Sequence, residues 1–202
     1  MNSIILAKGE KSKRIHLDKA FVEIEGKKFI EIIIQKIKPI FENIFIVSIS
    51  PEKFKNYEDE KVKLLKDDFK CGPIGGIYTG ITNSKSTFNF ILACDMPFIN
   101  VELIKYMINL QKDYDILVPI VNKRYQVLHS IYGKNVIPVL EENIILKKYK
   151  LSEVIKRVKT KFITQEEIEK ICEPYISFFN LNTKDDLNFI FSNFNKLNEK
   201  HQ

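Results

Sequence analysis

Three stretches of this chain combine residues that can do chemistry on a polyphosphate. The first runs from Leu6 to Lys19 and carries five cations (Lys8, Lys11, Lys13, Arg14 and Lys19) against Glu10 and Asp18, around Gly9 and Ser12. Such a loop can wrap a polyphosphate with backbone N–H groups and neutralise its charge. A solvated basic loop has the same composition, and neither Walker A nor GxGxxG spacing is present. The second stretch, Cys71 to Gly80, holds four of the seven glycines in the chain. Glycine is required where a backbone turns tightly or lets a ligand approach, and Pro73 suits the first turn of a helix whose amino end faces that ligand. A structural helix entry needs only one glycine, so the clustering favours a binding function. The third stretch is Ala93-Cys94-Asp95-Met96-Pro97-Phe98, an acid set directly after an apolar run. A carboxylate there can hold a hard cation such as magnesium that bridges substrate phosphates. Asp95 could instead cap a helix, but Asn100 is better placed to cap one starting at Val101.

The elements that position these stretches follow from periodicity. Ser3 to Ala7, Asn43 to Ile49, Val62 to Leu65, Phe88 to Cys94, Asp115 to Pro119, Val127 to Tyr132 and Ile176 to Phe179 read as strands, most of them too continuously apolar for a one-sided sheet. Phe29 to Phe41, Val101 to Gln111, Val136 to Lys148, Gln165 to Ile171 and Lys184 to Asn195 carry helical patterns, with Thr164 and Thr183 as N-caps and Glu167 at capping-box spacing. The alternation predicts an α/β fold: a mostly parallel sheet with helices on both faces. Ligands of such sheets sit beyond the carboxyl ends of the strands, which points to the loops after residues 7, 49, 65 and 94. No repeat or linker interrupts the chain, and the predicted frayed tail covers 197–202.

Composition bounds the alternatives. At 202 residues, 45% hydrophobic and 29% charged, the chain suits one folded domain with a sizeable core. No apolar run reaches the roughly 18 residues of a membrane span, and no export signal is visible, so a cytoplasmic protein without membrane contact is expected. The cysteines, Cys71, Cys94 and Cys172, are odd in number and form no CxxC pair, which argues against a disulfide framework or a zinc cage. A net charge of +6 invites a nucleic-acid reading. The lysines are spread over element boundaries and no nucleic-acid motif accompanies them, so no nucleic-acid partner is expected. His129, on a strand, reads as a satisfied, half-buried side chain, and Cys94 reads as core packing.

Together the three stretches resemble the molybdenum cofactor guanylyltransferase family of nucleotidyltransferases. The family's opening loop, later Arg and Asp-Lys pair are matched by Leu6-Ala7-Lys8-Gly9, Arg14 and Asp18-Lys19. Its GP-x-x-G stretch is matched by Gly72 to Gly76, and its DMPF box by Asp95 to Phe98. Its late aromatic-x-N-x-NT-x-x-DL segment is matched by Phe178 to Leu187. The resemblance covers nearly the whole chain and implies a Rossmann-like three-layer α/β sandwich of the nucleotidyltransferase type. By that resemblance the nucleotide-binding half is about 1–99 and the acceptor half about 100–196. Leu6, Ala7, Lys8, Gly9, Lys19, Ser48, Asp67, Gly72, Gly76 and Asp95 are implied at the nucleotide, Asp95 as the magnesium ligand. Asn180 and Asn182 are implied at the pterin acceptor, and Arg14, Lys19 and Asp95 are implied in catalysis.

The reaction so implied is transfer of GMP from GTP to the molybdopterin-bound molybdenum cofactor, with Mg2+ present and pyrophosphate released; biosynthetic or cofactor-accepting proteins are the implied protein partners. Two departures stand out: Lys8 replaces a glycine of the loop, and His16 stands where a glycine is usual. A lysine there either adds a phosphate contact or blocks one. A cytidylyltransferase or another nucleotidyltransferase on a phosphorylated small molecule, and a non-catalytic nucleotide-binding protein with an altered loop, remain open on the residues alone.

Overall fold

The computed structural model describes residues 1–8 and 16–199, with side chains through 194. Gly9 to Ile15, and with them the expectations for Gly9 and Arg14, lie outside the described residues. The chain starts with strand β1 (Asn2–Leu6) and a single helical turn at Lys19–Phe21. A small hairpin follows, β2 (Glu23–Ile24) and β3 (Lys27–Lys28), whose two-residue turn places Glu25 and Gly26 at φ 50 and 77. Two consecutive positive φ values match the twist of a tight hairpin. Helix α1 (Phe29–Ile37) leads to β4 (Ile44–Ser48), a 3-10 turn at Pro51–Tyr57, β5 (Val62–Lys66) and α2 (Pro73–Asn83). The middle of the chain supplies β6 (Phe88–Ala93), α3 (Val101–Leu110), β7 (Ile116–Val121), β8 (Arg124–Tyr125) and β9 (His129–Gly133). The remainder is α4 (Ile137–Ile145), α5 (Leu151–Lys156), β10 (Thr160–Ile163), α6 (Gln165–Glu169), α7 (Pro174–Ser177) and α8 (Lys184–Glu199).

The main sheet runs β10-β7-β9-β6-β1-β4-β5, with β8 paired to β7. Strands β6, β1, β4 and β5 are mutually parallel, as are β10 and β7, whereas β9 runs antiparallel to both of its neighbours. Side chains alternate between the two faces: Ile5 enters a core shared with α1 and α3, and Ile4 enters a core shared with α2, α4 and α5. This is the three-layer, mostly parallel α/β architecture the alternation predicts. A third apolar cluster joins the hairpin and α1 to Phe98, Leu181 and α8.

Several sequence expectations need correction. Helix α1 stops at Ile37 rather than Phe41, where the N–H groups of Ile40 and Phe41 both close on Ile37 O at 2.9 and 3.3 Å, and α6 stops at Glu169 rather than Ile171. Ile176 to Phe179 is not a strand: Pro174 and the Glu173 side chain, which accepts the Tyr175 N–H at 3.4 Å, start the short helix α7 instead. A short apolar run is compatible with either element, and here proline at the first helical position decides it. Helix α4 stops at Ile145 rather than Lys148. Lys147 adopts φ 54, its N–H bonds Ile144 O at 3.1 Å, and Lys148 N–H bonds Asn143 O at 2.8 Å. This is a Schellman closure without the glycine that usually signals it. Helix α8 runs past Asn195 to Glu199. The predicted caps hold: Thr164 and Glu167 form a reciprocal capping box, Asn100 accepts the Leu103 N–H at 2.9 Å, and Thr183 accepts the Asp186 N–H at 3.1 Å.

The glycines of α2 set how closely that helix lies on the sheet. A Cβ at Gly76 would stand 2.9 Å from Leu6 Cδ2, and one at Gly80 would stand 2.6 Å from Ile4 Cγ2. Both contacts are with β1, so the helix rests against the strand and brings its amino end to the carboxyl end of β1. Glycine in a helix interior costs about 1 kcal/mol relative to alanine, yet overpacking a rigid core costs about 1–3 kcal/mol. Because Ile4 is fully buried, the packing effect wins. Gly80→Ala is expected to lower the urea midpoint, and Ile4→Val in the same chain to recover part of the loss; a stabilised Gly80→Ala protein would contradict the close-packing role.

Candidate functional site

Hydrogen bonds that continue the ladder past the strand ends hold five loops side by side. Ala7 N–H bonds Val47 O at 3.0 Å, Cys94 N–H bonds Leu6 O at 3.2 Å, Asp67 N–H bonds Ser48 O at 2.8 Å and Ala93 N–H bonds Leu128 O at 3.1 Å. These loops, with the Asp18-Lys19 turn and the amino end of α2, enclose a cleft of about 470 Å³. Leu6, Ala7, Lys8, Lys19, Ser48, Asp67, Gly72, Gly76 and Asp95 all line it, so every described residue assigned to the nucleotide from sequence falls in one cleft.

One end of the cleft is built around Lys19. Its Nζ donates to Asp95 Oδ2 at 2.7 Å and to Asn182 Oδ1 at 3.0 Å, which joins residues 76 and 163 positions away. Both members of the Lys19–Asp95 pair keep only about a fifth of their side-chain surface in water. Lys19 is anchored by its neighbours: Ala20 is fully buried, and Phe21 stacks on Phe54 with ring centroids 4.9 Å apart. Asp95 is anchored by its carbonyl, which accepts the Leu181 N–H at 3.1 Å. Asn182 is held by Asp186, whose Oδ2 accepts the N–H groups of Asn182 and Thr183 at 2.8 and 2.7 Å. Asp186 is the acid of the late segment that resembles the family's, and the sequence assigns it no role of its own. Asn180 donates to Phe178 O at 2.8 Å, and neither it nor Asn182 is among the residues lining the cleft; Asn182 meets the site through its bond from Lys19.

The other end lies over β4 and β5. The Ser48 hydroxyl accepts the Ser50 N–H at 3.1 Å. Asp67 Oδ1 accepts the N–H groups of Phe69 at 3.0 Å and Lys70 at 3.4 Å, while burial pushes its carboxyl pKa up. Gly72, the residue before α2, adopts φ 80 and ψ −158, a conformation open essentially to glycine alone. Gly75 gives the tight fit behind this wall, since a Cβ there would meet Cys71 Sγ and Phe69 Cβ at 2.9 Å. Of the four clustered glycines, Gly72 serves the loop and Gly75, Gly76 and Gly80 serve packing, a distinction that clustering alone does not reveal.

Among the described residues, no group of three or more His, Cys, Asp or Glu side chains gathers as a metal cluster. The Cys94 thiol is pushed up by burial and then by the charges of Asp95 and Asp18, so it remains protonated and is no nucleophile. His129 departs from expectation. It is fully buried, and among the described residues neither ring nitrogen has a hydrogen-bond partner. It packs edge-on against Phe90 and Phe178 at centroid distances of 5.1 and 4.9 Å.

A mostly parallel α/β sheet with an ammonium and a carboxylate facing each other in a cleft at its strand ends defines a nucleotide-binding protein equipped for phosphoryl or nucleotidyl transfer. The family model for the MobA-like NTP transferase domain matches residues 3–162. A protein of Natranaerobius thermophilus named "probable molybdenum cofactor guanylyltransferase" is 38% identical over 192 residues, 93% of either chain. The crystal structure of molybdopterin-guanine dinucleotide biosynthesis protein A from Archaeoglobus fulgidus superposes with a TM-score of 0.84 at 26% identity, covering 97% of this chain and 100% of that one. The 4-diphosphocytidyl-2C-methyl-D-erythritol synthase of Anaerococcus prevotii, at 14% identity and a TM-score of 0.72 over 96% of this chain and 95% of its own, shares the fold. This chain belongs to the MobA-like NTP transferase family, among the molybdenum cofactor guanylyltransferases.

The buried imidazole makes the fold acid-sensitive. Desolvation lowers the His129 pKa from its ordinary 6.5 to about 3, so the unfolded chain binds the proton first as pH falls. Stability is therefore full above pH 6.5 and lost progressively between there and 3. By pH 5 the loss is on the order of 2 kcal/mol. His129→Leu is expected to flatten this slope in urea titrations at pH 7 and pH 5; an unchanged slope would place the acid sensitivity elsewhere.

Proposed function

We propose that this chain transfers GMP from GTP to the terminal phosphate of molybdopterin-bound molybdenum and releases pyrophosphate. The observation that carries the reading is the bond of Lys19 Nζ to Asp95 Oδ2 and Asn182 Oδ1, since it gathers a phosphate-binding cation, a cation-binding acid and a residue of the acceptor segment at one point. The family relationship supplies the substrates. The nucleotide is assigned to the half up to about residue 99 and the acceptor to the half beyond it, where Asn180 and Asn182 face the pterin.

Magnesium fits this donor set. Asp95 Oδ2 already accepts a cation, and Asp18 brings a second carboxylate to the same cleft. Magnesium is commonly held by one or two carboxylates together with substrate phosphates. Asp95 would hold the ion, which would neutralise charge on the α- and β-phosphates.

The residues of the chain act by position and charge. The attacking group is an anionic phosphate oxygen, so no general base is needed, and the protonated Cys94 offers no competing nucleophile. The P–O bond to the α-phosphorus forms on the acceptor side as the bond to pyrophosphate breaks. Lys19 transfers its hydrogen bonds from Asp95 and Asn182 to the triphosphate, which neutralises charge as pyrophosphate departs and frees Asn182 for the acceptor. The loop backbone at Leu6, Ala7 and Lys8 and the open wall at Gly72 admit the nucleotide. Lys8 keeps its place on the cleft, which favours an added phosphate contact over a blocked loop.

Pyrophosphate release, followed with each of the four nucleoside triphosphates and the pterin cofactor, tests the reading. Release with GTP is expected; release with CTP alone would turn it to the cytidylyl reaction, and nucleotide binding without release would leave a non-catalytic binder. Asp95→Asn is expected to lower release by at least about a hundredfold with the circular-dichroism spectrum unchanged. Lys19→Ala is expected to lower kcat/KM by more than about tenfold, or roughly 1.4 kcal/mol. Wild-type turnover in either variant would remove that side chain from the reaction.

A further inference from the structure

We infer that Lys70 selects the nucleobase: its ammonium donates to the C6 carbonyl oxygen of guanine while the neighbouring Asp67 carboxylate accepts from the base's N–H groups. This rests on the reading of the cleft as a nucleoside triphosphate site and adds a residue to it. The strand order fixes the direction in which the ligand lies. Lys19 and Asp95 stand at the end of β6, and β1, β4 and β5 follow in sequence across the sheet. Phosphates drawn to the cation therefore leave the base over β4 and β5, three strand spacings or about 14 Å away.

The polar side chains lining that end of the cleft are Ser48, Asp67 and Lys70. Asp67 is buried, and its Oδ1 is committed to the N–H groups of Phe69 and Lys70. No protein donor reaches Oδ2 among the described residues, which leaves one carboxylate oxygen for a donor on the ligand. Lys70 is exposed, forms no salt bridge with a described residue and lines the cleft from a φ of 52. A lysine in left-handed backbone is strained where glycine or asparagine would sit more easily. The bond from its own N–H to Asp67 Oδ1 couples that conformation to the carboxylate, and both residues line the same end of the cleft.

Guanine carries an acceptor at O6 beside donors at N1 and N2, the complement of such a pair. Adenine and cytosine place an amino group at the corresponding position, which would point donor hydrogens at the ammonium. Lys70 therefore favours guanine and penalises the other two.

The test is equilibrium binding of the magnesium complexes of GTP, ITP, ATP and CTP, without acceptor, to wild-type protein, Lys70→Met and Lys70→Arg. ITP keeps the O6 oxygen and lacks only the N2 amino group. Lys70→Met is expected to weaken GTP and ITP by about tenfold or more and ATP and CTP by less than about twofold, with Lys70→Arg restoring GTP. Equal weakening of all four would make Lys70 a phosphate or general charge contact and overturn the proposal, as would no weakening at all. Failure of the wild-type protein to bind any of the four would overturn the nucleotide reading of the cleft itself.

Discussion

The ammonium of Lys19 is the interaction on which the site depends. Alone in a half-shielded cleft, Asp95 would face a desolvation cost with nothing to offset it, and Lys19 would face the converse. Paired at 2.7 Å, and joined by Asn182 at 3.0 Å, they hold the turn at Lys19, the end of β6 and the segment before α8 in one arrangement. The same arrangement suits the arrival of a triphosphate. In the proposed reaction, a cation already bonded to the acid marks where positive charge is stabilised, and its hydrogen bonds pass to phosphate oxygens.

That point of contact is only as well placed as the scaffold behind it. Gly76 and Gly80 let α2 lie on β1, while the Cys94 to Leu6 and Asp67 to Ser48 hydrogen bonds keep neighbouring loops one strand apart. The antiparallel β9 brings Leu128 into the cleft wall and buries His129 below it. Such an imidazole, with no polar partner, costs stability in acid and contributes packing between Phe90 and Phe178. Rigidity here has a functional consequence: in nucleotidyl transfer the protein supplies positioning and charge, and both degrade with small displacements.

Much of this is legible in the sequence, for identifiable reasons. Buried strands such as β1, β4 and β6 are continuous apolar runs, and the caps at Asn100, Thr164 and Thr183 use side chains whose chemistry announces them. Asp95 stands out because a carboxylate directly after a buried strand has to be paired, to cap a helix or to hold a cation, and Asn100 already does the capping. The features that escape a sequence reading depend on tertiary context. Lys147 and Lys70 adopt left-handed conformations that glycine would have advertised. The Ile176-to-Phe179 run is apolar in either helix or strand, and Pro174 tips it. Glycine clustering signals function, whereas three of the four glycines there answer to Ile4, Leu6 and the Asp67 to Cys71 wall. His129 reads as a satisfied histidine because nothing in its neighbours' identities reveals that no partner reaches it.

The family relationship and the cleft point the same way, toward a charge-neutralising site for a nucleoside triphosphate. In the proposed reaction the Lys19–Asp95 pair opens to the nucleotide, and Asp95 would then hold the magnesium ion. Dissociation constants for GTP, measured on wild-type protein and on Asp95→Asn with excess magnesium and again with a chelator, test it most directly. Magnesium is expected to tighten GTP binding to the wild type by about tenfold or more. Asp95→Asn is expected to lose this dependence while binding metal-free GTP at least as well, because Lys19 is then released and a repelling charge is gone. An undiminished magnesium dependence in Asp95→Asn would contradict it.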